Sequence, residues 1–209
     1  SVWLLARAAQ QAGYRTLIGL AVVDVLMVYT HFFGWLMMGV QVLLVVVLPE
    51  WRPRWRSLAG ALIAVAVAYL PYATVFSTRL GQSVAHGTWL EPPVAEEMYN
   101  MLWRWNNQPV LVVLSLVLIA AACVKHRMAP LGLRLGLVWA LVPLLGMFAL
   151  SFAVPMFLDR YLVYAAPGYA LLLGVATDSL LPIGRMGRWA SSIPVLGMLL
   201  TFTPWKGHG

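Results

Sequence analysis

Long apolar runs separated by short polar turns dominate the chain. The runs approach the roughly 20 residues that a helix needs to cross a bilayer. They extend over residues 16–28, 32–48, 57–76, 109–124, 131–152, 161–177 and 189–203. The first is too short to cross upright, so it forms a half-span or joins the second. The pattern predicts one all-α, polytopic transmembrane domain over residues 1–209, with six to seven membrane segments.

Composition supports a membrane protein. Of 209 residues, 62% are hydrophobic and 10% are charged, with a mean hydropathy of +0.82. A soluble domain is about half apolar and a quarter charged. This difference excludes an ordinary soluble enzyme, a disordered chain and a nucleic-acid-binding domain. The single cysteine, Cys123, excludes an internal disulfide framework.

The opening residues do not have the pattern of a signal peptide. Residues 1–9 are already apolar and helix-forming, with no charged n-region and no cleavage site. They resemble the end of a helix that began upstream. We therefore expect the chain to be the C-terminal part of a longer protein.

The positive charges predict an orientation. If every run crosses, ten Lys and Arg residues fall on one side and four on the other. The richer side is expected to be cytoplasmic. Four acids, Glu91, Glu96, Glu97 and Asp159, fall on the outer side. The pattern thus predicts a bacterial inner-membrane protein whose long loop faces the extracytoplasmic side.

That long outer loop covers residues 77–108. Its first half, up to Pro93, is rich in turn residues. Pro92 and Pro93 then precede two acids in the position of a first helical turn, where the helix dipole favours them. Apolar residues recur on one face of the following segment. We expect an amphipathic helix that lies flat on the outer membrane surface.

The first group of candidate functional residues surrounds the segment Tyr29-Thr30-His31. Tyr29 and His31 offer a phenol and an imidazole near the outer surface, suited to a lipid-linked phosphate or a sugar. Alternatively, they are interface anchors that close a helical hairpin. Asp24 is the only acid inside an apolar run, and such residues often mark function. It either shares an aqueous cleft or a proton with His31, or is protonated or satisfied by Arg or Gln41 on a neighbouring helix.

The second group is Asp159-Arg160-Tyr161. The guanidinium of Arg160 is suited to a phosphate, and Asp159 would orient it. The alternative is a local salt bridge with Tyr161 as an interface anchor. In the long loop, Trp89 and Glu91 have the aromatic and carboxylate groups that suit sugar binding. No cofactor is assigned, and the outer acids are too dispersed to define a metal site.

Three segments together resemble a known family. They are Tyr29-Thr30-His31-Phe32-Phe33-Gly34, Trp89-Leu90-Glu91-Pro92-Pro93, and Asp159-Arg160-Tyr161-Leu162 followed by Ala165–Leu173. In this order, with a basic turn after the first, they are similar to the C-terminal half of GT-C glycosyltransferases. The bacterial branch of protein mannosyltransferases and lipid A aminoarabinose transferase is the most similar.

The resemblance implies a transferase that passes a sugar from a polyprenyl-phosphate donor to an extracytoplasmic acceptor. The family's catalytic carboxylate lies in an early outer loop, upstream of the segments matched here. No catalytic base is therefore assigned, and this part alone is expected to be inactive. By the resemblance, Arg160 contacts the donor phosphate, and Tyr29 and His31 line the cavity.

Two other functions remain open. A proton-coupled transporter or lipid flippase would use Asp24 and His31 as a proton relay. A non-catalytic scaffold subunit would tolerate alanine at Tyr29, His31 and Arg160. Motifs of ATPases, dinucleotide enzymes, zinc proteases and serine hydrolases are absent.

Overall fold

A computed structural model describes residues 1–11, 13–31, 33–86, 91–126 and 130–180. These residues are all-α, with no strand among them. Two short 3-10 segments, Pro49–Arg54 and Asp159–Leu162, accompany the α-helices. The α-helices are α1 (Val2–Gln10), α2 (Tyr14–Thr30), α3 (Gly34–Val47), α4 (Trp55–His86), α5 (Ala95–Asn106), α6 (Pro109–Lys125), α7 (Leu131–Leu150) and α8 (Ala166–Leu180).

The six apolar runs that fall on described residues all contain a helix, but most of these helices are short. Two stretches are long and apolar enough to cross a membrane, Pro49–Val75 and Leu131–Leu150. A third candidate is α5 taken with α6, although the two are bent by 93° at their junction. These stretches are compatible with an integral membrane protein. The expected seventh run, 189–203, lies outside the described residues.

Helix length explains why the described part has two or three candidate spans rather than six to seven. At about 1.5 Å per residue, the 14 residues of α3 and the 15 of α8 rise only about 21–22 Å. The hydrocarbon core is about 30 Å thick. The 17-residue helices α2 and α6 reach about 26 Å. These helices are about as long as the apolar runs that predicted them, so the runs themselves are shorter than an upright span.

Exposed apolar side chains form stripes along several helices. On α2, Ile18, Val22 and Leu26 recur every four residues and are each more than half exposed. A soluble protein rarely exposes large contiguous apolar patches, whereas a lipid-facing helix does so over its whole outer face. The opposite face of α2 is the buried one, and it contains Asp24.

The outer loop differs from its expected form. Residues 77–86, expected as turns, continue the helix α4, in which the hydroxyls of Ser77 and Thr78 both donate to the carbonyl of Thr74. These side-chain bonds satisfy local hydrogen-bonding capacity without breaking the helix. The expected helix after Pro93 is present as α5, with Glu96 and Glu97 in its first turn.

Residue contacts divide the chain into two compact units. Unit 1 comprises Ser1–Pro93 with Leu141–Ala165. Unit 2 comprises Val94–Ala140 with the chain from Ala166 onward. In unit 1, α2 packs against α3 and α4 around an apolar cluster that includes Val28, Met38, Leu62, Val65 and Tyr69.

The core of unit 2 is formed by α6, the first half of α7 and α8. Its buried cluster is Ala122, Leu133, Leu172 and Ala176. Two glycines allow α7 and α8 to approach closely. A Cβ at Gly136 would lie 2.8 Å from the Cα of Leu172, and one at Gly168 would lie 2.7 Å from Cγ of Trp139. Small residues commonly permit such backbone contact between membrane helices.

Candidate functional site

Two segments of unit 1 that are distant in sequence meet in a group of rings. We define the His31 cluster as His31, Phe33, Tyr161 and Tyr164, with Arg160 beside it. The ring centroid of His31 lies 5.8 Å from that of Tyr161 and 5.9 Å from that of Tyr164. The rings of Phe33 and Tyr161 are closest, at 4.4 Å. These centroid separations are typical of attractive aromatic pairs.

The end of α2 positions His31. The helix stops at Thr30, and His31 adopts extended backbone angles (φ −149°, ψ 127°). Its Nδ1 accepts a hydrogen bond from the backbone N–H of Phe33 at 3.2 Å. Since Nδ1 is the acceptor, a neutral His31 carries its proton on Nε2. The extended backbone turns the imidazole away from the helical register and toward the 3-10 segment Asp159–Leu162.

Arg160 supplies the positive charge beside this cluster. Its Cζ lies 5.0 Å from the ring centroid of Tyr161, and its Nη2 donates to the hydroxyl of Tyr161 at 3.3 Å. The Arg160 side chain is exposed. Its contact with the Tyr161 ring restricts the orientation of the Arg160 side chain, and a guanidinium is the side chain best suited to a phosphate.

The neighbouring phenol is a neutral donor. The ordinary pKa of a tyrosine is about 10, far above neutral pH. The Tyr164 hydroxyl therefore stays protonated at neutral pH, and it adds no negative charge opposite the guanidinium of Arg160. The described part of the cluster is thus cationic and aromatic.

Tyr29 lies in a different group of rings. Its hydroxyl donates to the backbone carbonyl of Ala68 at 2.8 Å, and its ring packs 5.4 Å from Tyr69 and 5.9 Å from Tyr72. The turn of α4 that it contacts contains Pro71, which has no N–H to donate. Tyr29 therefore has a structural role against α4 and is not brought into the His31 cluster.

Asp24 pairs with Gln41. Both are fully buried, and Nε2 of Gln41 donates to Oδ1 of Asp24 at 2.9 Å. The same nitrogen lies 3.2 Å from Oγ of Ser1. Asp24 lies about two helical turns before the end of α2, and Gln41 lies about two helical turns after the start of α3. This geometry agrees with the interpretation in which Gln41 on a neighbouring helix bonds to Asp24, but the bond satisfies only one of the two carboxyl oxygens, and His31 has other neighbours.

The remaining candidate residues from the sequence are not brought into the His31 cluster by the described structure. Glu91 is exposed and precedes α5. Trp89 and the side chain of Asp159 lie outside the part of the chain that the structure describes. Among the described residues there is no group of three or more His, Cys, Asp or Glu side chains that would hold a metal ion.

Sequence reasoning did not identify several residues that the structure brings together. Phe33 and Tyr164 complete the His31 cluster, and only their proximity to motif residues pointed to them. In unit 2, Asn106 is fully buried, and its side chain bonds to Tyr169 and Ser115. Nothing in the sequence around Asn106, a polar residue at the end of an amphipathic helix, indicated that it would be buried.

Comparison with known proteins adds no relative. The chain matches no protein-family model, and searches of curated proteins and of solved structures also find no match.

Proposed function

We propose that this chain is the C-terminal membrane portion of a glycosyltransferase that uses a polyprenyl-phosphate-linked sugar. The observation that supports this most is Arg160, an exposed guanidinium lying over Tyr161, whose ring packs on Phe33 and His31. The cation would contact the donor phosphate, and the rings would line the path of the sugar and the first isoprene units. The resemblance of the three sequence segments to GT-C enzymes supports the same assignment.

The proposal includes a membrane arrangement. The shorter helices α2, α3, α6 and α8 would enter the bilayer alongside the two long ones and, with the run at residues 189–203, give six to seven segments in this portion of the protein. The exposed apolar stripe of Ile18, Val22 and Leu26 on α2 supports this, because it would face lipid. Helix α5 would lie on the extracytoplasmic surface of a bacterial inner membrane, where Trp103 is well placed for the headgroup region. The acceptor would approach from that side.

In the proposed mechanism, this portion and an upstream part of the protein would supply different catalytic groups. Inverting transfer needs a carboxylate to activate the acceptor and positive charge to stabilise the leaving phosphate. Arg160 would provide the positive charge, and Tyr161 would hold the guanidinium in place. The carboxylate base is expected upstream of Ser1, so no base is assigned here.

A binding experiment tests Arg160 without requiring the sugar or the acceptor. The probe is polyprenyl phosphate, titrated against the intact protein in detergent, with the uncharged polyprenol as a reference. Arg160→Ala should weaken polyprenyl-phosphate binding roughly 10–100-fold, because a hydrogen bond to a charged group contributes about 1.5–3 kcal/mol. Polyprenol binding should not change.

Arg79→Ala is the matched control, because Arg79 is also exposed and lies on α4, outside the His31 cluster. Arg160→Lys should restore part of the affinity, since the charge returns without the planar fork. Equal losses in Arg160→Ala and Arg79→Ala, or equal affinity for polyprenol and polyprenyl phosphate, would contradict the proposal.

Proton-coupled transport is the second candidate, favoured by the full burial of Asp24. It predicts uptake that is lost in Asp24→Asn and retained in Arg160→Ala. The scaffold alternative predicts that both variants leave the activity of the complex unchanged. Transfer activity in the intact protein that depends on Arg160 and not on Asp24 would distinguish the glycosyltransferase from both.

A further inference from the structure

The Asp24–Gln41 pair contains more acceptors than donors. Oδ2 of Asp24 and Oε1 of Gln41 are both buried, and neither has a hydrogen-bond partner among the described residues. Both side chains are fully buried. A buried acceptor without a donor is costly, and a buried unpaired carboxylate is more so. Two such oxygens on directly bonded side chains indicate a missing donor.

One proton would satisfy both oxygens. A protonated carboxyl has one O–H donor as well as its acceptor oxygen. With Nε2 of Gln41 already donating to Oδ1, an Oδ2–H group donated to Oε1 would close a reciprocal acid–amide pair. We infer that Asp24 and Gln41 form a buried proton-binding site, in which the folded protein holds Asp24 as a neutral acid.

A metal cation fits this position less well. Hard divalent cations take about six or more oxygen ligands. The described oxygens at the pair are those of Asp24, Gln41 and the hydroxyl of Ser1. A proton needs two oxygens, and the pair offers two without partners.

The surroundings provide few charges that would oppose protonation. Helix α3 has no ionisable side chain. From α4, Tyr69 and Tyr72 face α2, and both rings pack on Tyr29. From α1, Arg7 lies over the ring of Trp3, with Cζ 5.2 Å from the ring centroid.

The experiment detects the proton on the Asp24 carboxyl directly. The full chain in lipid nanodiscs is examined by infrared spectroscopy between pH 5 and 9. The C=O stretch of a protonated carboxyl is separate from the carboxylate bands. At pH 7, wild type should show this band, and Asp24→Asn should lose it.

Asp178→Asn is the matched control, because Asp178 is an exposed acid on α8 and its removal should leave the band intact. Gln41→Leu is the second variant, and it should shift the band to higher frequency because the carboxyl loses its hydrogen bonds. Absence of the band in wild type at pH 7, or its persistence in Asp24→Asn, would overturn the inference. A band that appears in K⁺ buffer and vanishes in Na⁺ buffer would also overturn it and indicate a sodium site.

Stability gives an independent readout. A proton bound in the folded state and released on unfolding makes stability fall as pH rises, by up to roughly tenfold in the unfolding constant per pH unit. This dependence should be present above pH 5 in wild type and reduced in Asp24→Asn, whose amide donates to Oε1 at every pH. Equal pH dependence in the two proteins would contradict the inference. The inference does not rest on the proposed glycosyltransferase activity.

Discussion

Replacing Asn106 by Leu tests the buried polar network of unit 2. The Nδ2 of Asn106 donates to the carbonyl of Leu102 at 2.7 Å and to the hydroxyl of Tyr169 at 2.8 Å. Its Oδ1 accepts from Oγ of Ser115 at 2.8 Å and from the Tyr169 hydroxyl at 3.1 Å. Asn106 thereby connects the end of α5 to both α6 and α8.

The magnitude follows from the groups that Leu would leave without a partner. The hydroxyls of Ser115 and Tyr169 are buried, and each unsatisfied buried group costs about 1–3 kcal/mol. Ser115 can recover part of this by donating to a carbonyl of its own helix. We therefore expect Asn106→Leu to lower the free energy of unfolding by about 2–4 kcal/mol.

A double-mutant cycle isolates the bond to Ser115. Interhelical hydrogen bonds in membrane bundles show coupling energies that average about 0.6 and reach about 1.7 kcal/mol. Ser115→Ala combined with Asn106→Leu should show a coupling of about 1 kcal/mol. The measurement is denaturant unfolding in detergent, followed by far-UV circular dichroism.

Asn100→Leu on the same helix is the control, since Asn100 is only half-buried. A loss in Asn106→Leu no larger than in Asn100→Leu would refute the argument that burial makes the network costly to break. Additive effects of Asn106→Leu and Ser115→Ala would refute the bond between them.

Two further substitutions test packing and the α4 contact, both by equilibrium unfolding. Gly168→Ala should destabilise by about 1–3 kcal/mol, because the new Cβ would meet Cγ of Trp139. Gly174→Ala, which meets nothing within 4 Å, should be neutral or stabilising, and equal losses at the two glycines would contradict the crowding. Tyr29→Phe should cost about 1 kcal/mol through the lost bond to the Ala68 carbonyl and leave polyprenyl-phosphate binding unchanged. Weaker phosphate binding in Tyr29→Phe would instead place Tyr29 in the donor site.

The apolar pattern predicted the helices well and the spans less well. Each described run contains a helix, because burial in any apolar medium favours a hydrogen-bonded backbone. Four of the helices have 14 to 17 residues, close to the lengths of their runs and too short to cross the bilayer upright. At the α5–α6 junction, Asn107 adopts a left-handed conformation (φ 64°) and Pro109 begins α6. Together they prevent α5 and α6 from forming one continuous helix. Asn tolerates this conformation better than most residues.

The candidate site shows that helical spacing predicts which residues share a face only as long as the helix continues. Asp24 and His31 are two turns apart, so a continuous helix would have placed them on one face. The helix ends at Thr30, and the extended backbone of His31 sends its ring toward Tyr161 instead. Asp24 remains in the helix and meets Gln41. One residue of irregular backbone thus separates two residues that the sequence grouped together.

This separation makes the two proposals for unit 1 independent. A proton relay from Asp24 to His31 needs them within hydrogen-bond reach, or linked through intervening groups. The structure gives Asp24 a partner on α3 and gives His31 partners at residues 33, 161 and 164. Proton occupancy at Asp24 should therefore leave phosphate binding at Arg160 unchanged. If Asp24→Asn altered polyprenyl-phosphate affinity as strongly as Arg160→Ala, the two sites would be coupled through the α2–α3 turn, and His31 would be the residue that connects them.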